Sequence, residues 1–186
     1  MREMDTGIIA SQLLDGERIA WTGGPGAGMR LQGADIFLIP FSLLWCGFVF
    51  LWEYLVISTG HAPFIMRLWG IPFILIGLYF VIGRFILDAW LRSRTYYAIT
   101  NQRVLIYRPA PLARFTALNL KQLPEMSLAE ASDGSGTIRF GPQTPLFGRG
   151  TGFPIWTPSL DPTPQFVAVA DAGALFRQLQ QAQRNA

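Results

Sequence analysis

The sequence predicts an α+β membrane protein: a two-helix transmembrane hairpin followed by a small β-rich domain that ends in a helix. Three observations predict it. Charged residues make up only 15% of the chain, against about a quarter in an ordinary soluble domain. The deficit falls between Ile36 and Trp90, in two long apolar runs. Directly after Trp90 the apolar period changes from helical to two, the alternation of strands with one buried face. The chain accordingly divides into residues 1–33, 34–91 and 92–186.

Residues 1–33 are polar to mixed. In "TGIIASQLLDGERIAW" the apolar positions Ile8, Ile9, Leu13 and Leu14, with Thr6 as a start signal and Gly16 as a stop, predict a short amphipathic helix. It would lie on the membrane or on the domain. "GERIAWTGGPGAGMR" then reads as a short strand and a glycine-rich elbow. The glycines do not make a phosphate loop, because no Gly-Lys-Ser/Thr follows and GxGxxG fails at its third glycine.

The first span is Ile36 to Ile57, with Glu53 near its end as the single charge. At about 1.5 Å per residue it crosses a hydrocarbon core of about 30 Å. Pro40 falls in an early turn, where a missing amide costs little, and Asp35 is placed to cap the helix. The second span is Leu68 to Trp90. Arg84 and Asp88 fall in its last turns, where long side chains reach the headgroups. Trp52, Tyr54, Trp69 and Trp90 lie near the ends, as an aromatic belt requires. The connection "STGHAPFIMR" is short, so the spans form a hairpin. Arginines flank both outer ends, whereas Arg67 alone marks the connection, which puts both termini in the cytoplasm. The first span starts too far in, is too long and lacks a small-x-small site for a cleaved signal peptide.

Beyond Trp90, Thr95, Tyr97 and Ile99 share one strand face, and Val104 and Ile106 share a face of the next, across the turn Thr100–Arg103. "ARFTALNL", "EMSLAEAS" and "GTIRFG" follow as strands, with "SDGSG" as a hairpin turn. A Pro/Gly-rich loop covers residues 141–164. "QFVAVA" is a final strand, and "DAGALFRQLQQAQ" closes as a helix capped by Asp171, with Leu175, Phe176 and Leu179 on its apolar face.

The segment "YYAITNQRVLIYR" resembles the first hairpin of bacterial pleckstrin-homology-like (bacterial PH) domains attached to membrane helices, through Tyr97, Ile99, Thr100, Arg103 and Val104. "GERIAWTGGP" resembles the segment that precedes the spans in such proteins, and "DGSGTIRF" and "VAVADAGALFRQL" fit the later strands and closing helix. The resemblance covers roughly residues 13–24 and 92–182. It implies a PH-like split β-barrel of seven strands with a C-terminal helix, used for binding and without enzyme activity. The long loop 141–164 departs from the family pattern, so no ligand follows from the resemblance.

The residues themselves offer little for catalysis. Cys46 and His61 are the sole cysteine and histidine, one within a span and the other in the connection. No cofactor is expected. The basic residues are scattered arginines with one lysine, Lys121, and the net charge is only +3, which argues against nucleic acid as a partner. Membrane lipids and another integral membrane protein are the expected partners. Arg84, Asp88 and Arg92 recur every four residues on one helix face, at the depth of Asp35; they form a salt-bridge ladder or meet headgroups. Arg94 and Arg103 join Arg92 as candidates for anionic lipid. Thr100 and Arg103 either brace the turn or form a ligand site. Gly70 and Gly77 permit close helix packing, within the hairpin or against a partner's helix. Phe147, Phe153 and Trp156 on the Pro-rich loop either dock to a protein surface or cover the barrel. The expected function is a non-catalytic, membrane-anchored binding module of the bacterial inner membrane, an accessory or assembly subunit of a larger complex. The second reading is a free-standing binder of anionic lipid or the membrane surface.

Overall fold

The computed structural model describes residues 7, 9–26, 31, 34–61, 63–142 and 157–185. The molecule is α+β, with two long apolar helical segments and two antiparallel sheets. Strand β1 (Ile19–Gly23) comes first. Helix α1 (Asp35–Ser58) follows, then α2 (Phe64–Leu78), a π-helical turn (Tyr79–Gly83) and α3 (Arg84–Ser93). The last three run on as one 30-residue helix, Phe64–Ser93, and both it and α1 are long and apolar enough to cross a membrane. This second helix starts four residues before the expected span, because Arg67 interrupts the hydropathy and not the helix: Met66 N–H already bonds Pro63 O at 2.9 Å.

The π turn was not expected. It inserts one residue into the helix, which rotates everything after it by about 100°. Tyr79 and Arg84, at its two ends, both make polar contacts described below. Gly83 fits under the Tyr79 ring, where a Cβ would stand 3.1 Å from it.

Thr95 alone separates the C-cap Arg94 from β2 (Tyr96–Thr100), and its hydroxyl donates back to Leu91 O at 2.8 Å. Then come β3 (Arg103–Arg108), β4 (Arg114–Asn119), a 3-10 turn (Leu120–Gln122), β5 (Met126–Glu130), β6 (Gly136–Phe140), a second 3-10 turn (Pro158–Leu160), β7 (Gln165–Val169) and α4 (Ala172–Asn185). One sheet runs β1-β2-β3-β4 and the other β5-β6-β7, each antiparallel. Strand β1 is therefore not a unit apart from the later strands. Trp21 pairs with Ile99 and Gly23 with Tyr97, so the helices are an insertion between two neighbouring strands.

Alternation explains the core. Tyr97, Ile99, Val104 and Ile106 point from the first sheet toward Ile138, Phe140 and Phe166 of the second, and Leu175 and Leu179 of α4 close the gap. Phe166 is the hub: Tyr97 stacks on it at 4.4 Å, Phe140 meets it edge-on at 5.2 Å and Trp21 lies at 5.9 Å. Burying each of these side chains contributes about 1.5–3 kcal/mol. The outer face of the first sheet is covered too. Ile9 packs on Ala98 and Leu105, with Leu13, Ile19 and Tyr96 around them. The N-terminal segment thus lies on the domain. The helix ends earlier than the expected stop at Gly16: residues 7, 9 and 10 are helical and the chain turns at Ser11, while Thr6 and Ile8 fall outside the described residues. Glu17 takes the Leu14 amide at 2.8 Å, which ends any continuation.

Candidate functional site

The charged residues expected on one helix face meet where the helices join the two sheets. Asp35 is not the cap of α1. The N-cap position is Ala34, without a side-chain cap, and Asp35 stands inside the first turn. It pairs instead with Arg84, whose Nη1 lies 2.5 Å from Asp35 Oδ1. Arg84 does not reach out to headgroups: it is 3% exposed, donates Nε to Phe80 O, and lies over the Phe85 ring. Four residues on, Asp88 Oδ2 pairs with Arg92 Nε at 2.8 Å, and Arg92 also donates to Gly26 O.

Asp88 turns its other oxygen to the segment before β7. Oδ1 accepts from Ser159 N–H at 3.0 Å and from the Ser159 hydroxyl at 2.7 Å. Tyr79 and Thr157 share a hydroxyl–hydroxyl bond of 2.9 Å one level deeper. The same segment is held from the sheet side. Arg108 donates to Ser159 O and Leu112 O, and Arg114 donates to the carbonyls of Asp161 and Pro162. Arg139 pairs with Asp161 at 3.4 Å. Residues 157–163 are therefore a clamp between helix and sheets, and Thr157 is fully buried. This is the part of the Pro-rich loop that sequence reasoning missed. Its Ser/Thr/Asp/Pro composition looks like surface loop, and only the fold brings Asp88 within reach. Phe147, Phe153 and Trp156 lie outside the described residues.

A second cluster holds the far end of the first hairpin. Thr100 Oγ1 accepts from the amides of Gln102 and Arg103, closing the turn, and donates to Glu17 Oε1 at 2.7 Å. Arg103 donates to both oxygens of Glu17, at 3.0 and 2.6 Å. The Glu17 side chain is wholly buried and Arg103 largely so. The Arg103 guanidinium beside it holds the Glu17 carboxyl down to about 2, and Glu17 in turn raises Arg103 above its usual value. Glu17 was not singled out in the sequence. The signal available was its place in "GERIAW" beside the Thr-x-x-Arg turn.

The three arginines expected to face lipid are thus not together. Arg92 is buried in the joint. Arg103 is a strand length from it, about 16 Å for five residues, and is committed to Glu17. Arg94 is exposed and lies over the Trp90 ring at 4.6 Å. The two glycines do bring α1 and α2 together. A Cβ at Gly77 would stand 3.2 Å from Cys46 Sγ, and one at Gly70 would collide with the Glu53 carboxyl. An apolar groove of about 300 Å³ runs beside this contact, lined by Trp45, Phe48, Val49, Trp52, Trp69 and Phe73. Among the described residues no cluster of three His, Cys, Asp or Glu side chains occurs that could hold a metal.

Fold and joint together define an α+β protein in which a pair of apolar helices interrupts an antiparallel sheet and is bonded to it at the point of insertion. Compared with known proteins, the chain matches no family model, no curated protein and no solved structure.

Proposed function

We propose that the chain is a non-catalytic, membrane-anchored binding module, an accessory or assembly subunit of a larger bacterial inner-membrane complex. In this reading α1 and the Phe64–Ser93 helix cross the bilayer, and the PH-like barrel stands on the cytoplasmic side with both termini. The observation that carries it is the joint. Asp88, Ser159, Tyr79 and Thr157 bond the helices to the barrel with one residue between α3's cap and β2. A barrel held in this way cannot roam for soluble targets. It presents fixed surfaces to whatever lies beside it at the membrane edge.

The helix surfaces support the membrane part. Only 22% and 17% of the most apolar windows are buried within the chain, whereas the core helix of a soluble protein is mostly buried. Phe37, Leu44, Phe48, Phe64, Ile65, Trp69 and Leu75 are all exposed. An apolar surface of this extent belongs in lipid or against a partner's helices.

Two measurements test the reading. Alkaline carbonate should leave the protein in the membrane pellet; release into the supernatant would rule out spanning helices. Purification in mild detergent followed by native mass measurement should show a stoichiometric membrane-protein partner. A lone monomer under gentle conditions would count against the subunit reading.

A further inference from the structure

We propose that Arg108 and Arg114 form a binding site for a phosphate group, supplied in the bilayer by an anionic lipid headgroup. Their cleft lies between the start of β2, the β3–β4 connection and the clamp segment, lined by Thr95, Arg108, Arg114, Ser159, Asp161 and Gln165 among others. Its volume of about 30 Å³ admits a few water-sized atoms, the scale of the outer oxygens of a phosphate.

The charge balance at the joint singles out these two residues. Asp35 takes Arg84, Asp88 takes Arg92 and Asp161 takes Arg139. The described partners of Arg108 and Arg114 are carbonyls alone: Leu112 and Ser159 for one, Asp161 and Pro162 for the other. Arg108 is nevertheless only 7% exposed. Burying a cation without a counter-charge is costly, and the cost is felt: burial, and then the neighbouring Arg114, pull Arg108 below its usual value. Asp161 lines the same cleft, but its carboxylate is turned to Arg139 and to the Thr163 amide.

The Arg108 Nε and Nη1 bonds leave Nη2 for an added acceptor. A guanidinium fork matches phosphate oxygens in geometry as well as charge. Depth fits too. Thr95, on the cleft wall, is two residues past Ser93, the last residue of α3. If the helices span, that level is the headgroup layer, where anionic phosphates concentrate and draw basic side chains. The lipid source rests on the membrane reading above; the phosphate chemistry does not.

The full-length chain in mild detergent tests it with two probes. In native mass spectra, wild type should retain phosphatidylglycerol over phosphatidylcholine. Arg114→Gln should lower that retention about tenfold, the loss of one charge-assisted contact. Arg114→Lys should restore part of it, and Arg94→Gln should change it by less than about twofold, as exposed single charges do. Arg108→Gln serves as a second variant where its melting temperature shows a folded chain. In parallel, inorganic phosphate is titrated calorimetrically against chloride at matched ionic strength. Arg114-dependent phosphate binding with phosphatidylglycerol and phosphatidylcholine held equally upholds the site and assigns it a soluble phosphate. Phosphate binding by protein that carbonate extracts would uphold the site while the membrane reading failed. Retention and phosphate binding that both ignore Arg114 would overturn the proposal.

Discussion

Asp88 on α3 and Ser159, 71 residues later, are bonded twice: the Ser159 amide and hydroxyl both donate to Asp88 Oδ1, at 3.0 and 2.7 Å. The other carboxylate oxygen holds Arg92 on the same helix, so one side chain fixes its neighbour within the helix and ties that helix to the segment before β7. Ser159→Ala removes one bond to a charged acceptor and should cost about 1.5–3 kcal/mol. Asp88→Ala also removes the carboxylate that pairs with the buried Arg92 and should cost about 3–5 kcal/mol. Thermal melts in detergent check the order. Hydrogen exchange should rise first at residues 157–163 in Ser159→Ala; uniform exchange across both sheets would mean that the clamp is not a local unit.

Acid should loosen the far end of the hairpin. The Glu17 carboxyl, ordinarily near 4.5, is held down to about 2 by Arg103, the Leu14 amide and Thr100. A depressed carboxyl stabilises the fold fully above its unfolded value, and that contribution disappears as pH falls from about 4.5 toward 2. Glu17→Gln should flatten the stability profile across this window. At neutral pH Glu17→Ala should cost about 3 kcal/mol, the low end for breaking a buried pair, since Arg103 keeps some contact with water. Melting temperature as a function of pH gives both readings.

The helix contact makes an asymmetric prediction at its two glycines. At Gly70 a methyl would displace the Glu53 carboxyl and press on Trp52, whereas at Gly77 it would crowd Cys46 Sγ at 3.2 Å, a few tenths of an ångström inside ordinary contact. Gly70→Ala should destabilise the hairpin by about 1–3 kcal/mol and Gly77→Ala by less. Adding Glu53→Ala to Gly70→Ala should recover much of the loss, a coupling that a double-mutant cycle in detergent resolves. Equal effects at both glycines would contradict the packing described.

Tyr97 is a core residue with a polar tip. Its ring stacks on Phe166 and its hydroxyl accepts from the Val167 amide at 3.0 Å, tying the two sheets together. Burial holds the phenol neutral by pushing its ionisation well up. Tyr97→Phe keeps the stack but removes the acceptor of a part-buried amide, so it should cost about 1–3 kcal/mol. Denaturant titration measures it; no loss would mean that water or another acceptor replaces the hydroxyl.

Local pattern alone determined most elements of this chain. Apolar runs set α1 and the second helix, because hydropathy over some twenty residues depends on nothing distant. Period-two alternation set β2, β3 and β4 and put Tyr97 and Ile99 on one strand face, and the four-residue spacing put Arg84, Asp88 and Arg92 on one helix face. What each of those side chains meets was decided only by tertiary structure. The strand before the helices pairs with the strand after them, so the N-terminal segment belongs to the sheet. A π turn of one extra residue sets the face of α3 toward the clamp. Asp35 leaves the cap for Arg84, and Glu17 takes Arg103. A buried charge takes the nearest opposite charge or donor that the fold brings to it, and those partners are 49, 71 and 86 residues away in the chain. That separation is invisible to any local window, and it is why the joint could be read from the sequence as a place but not as a set of bonds.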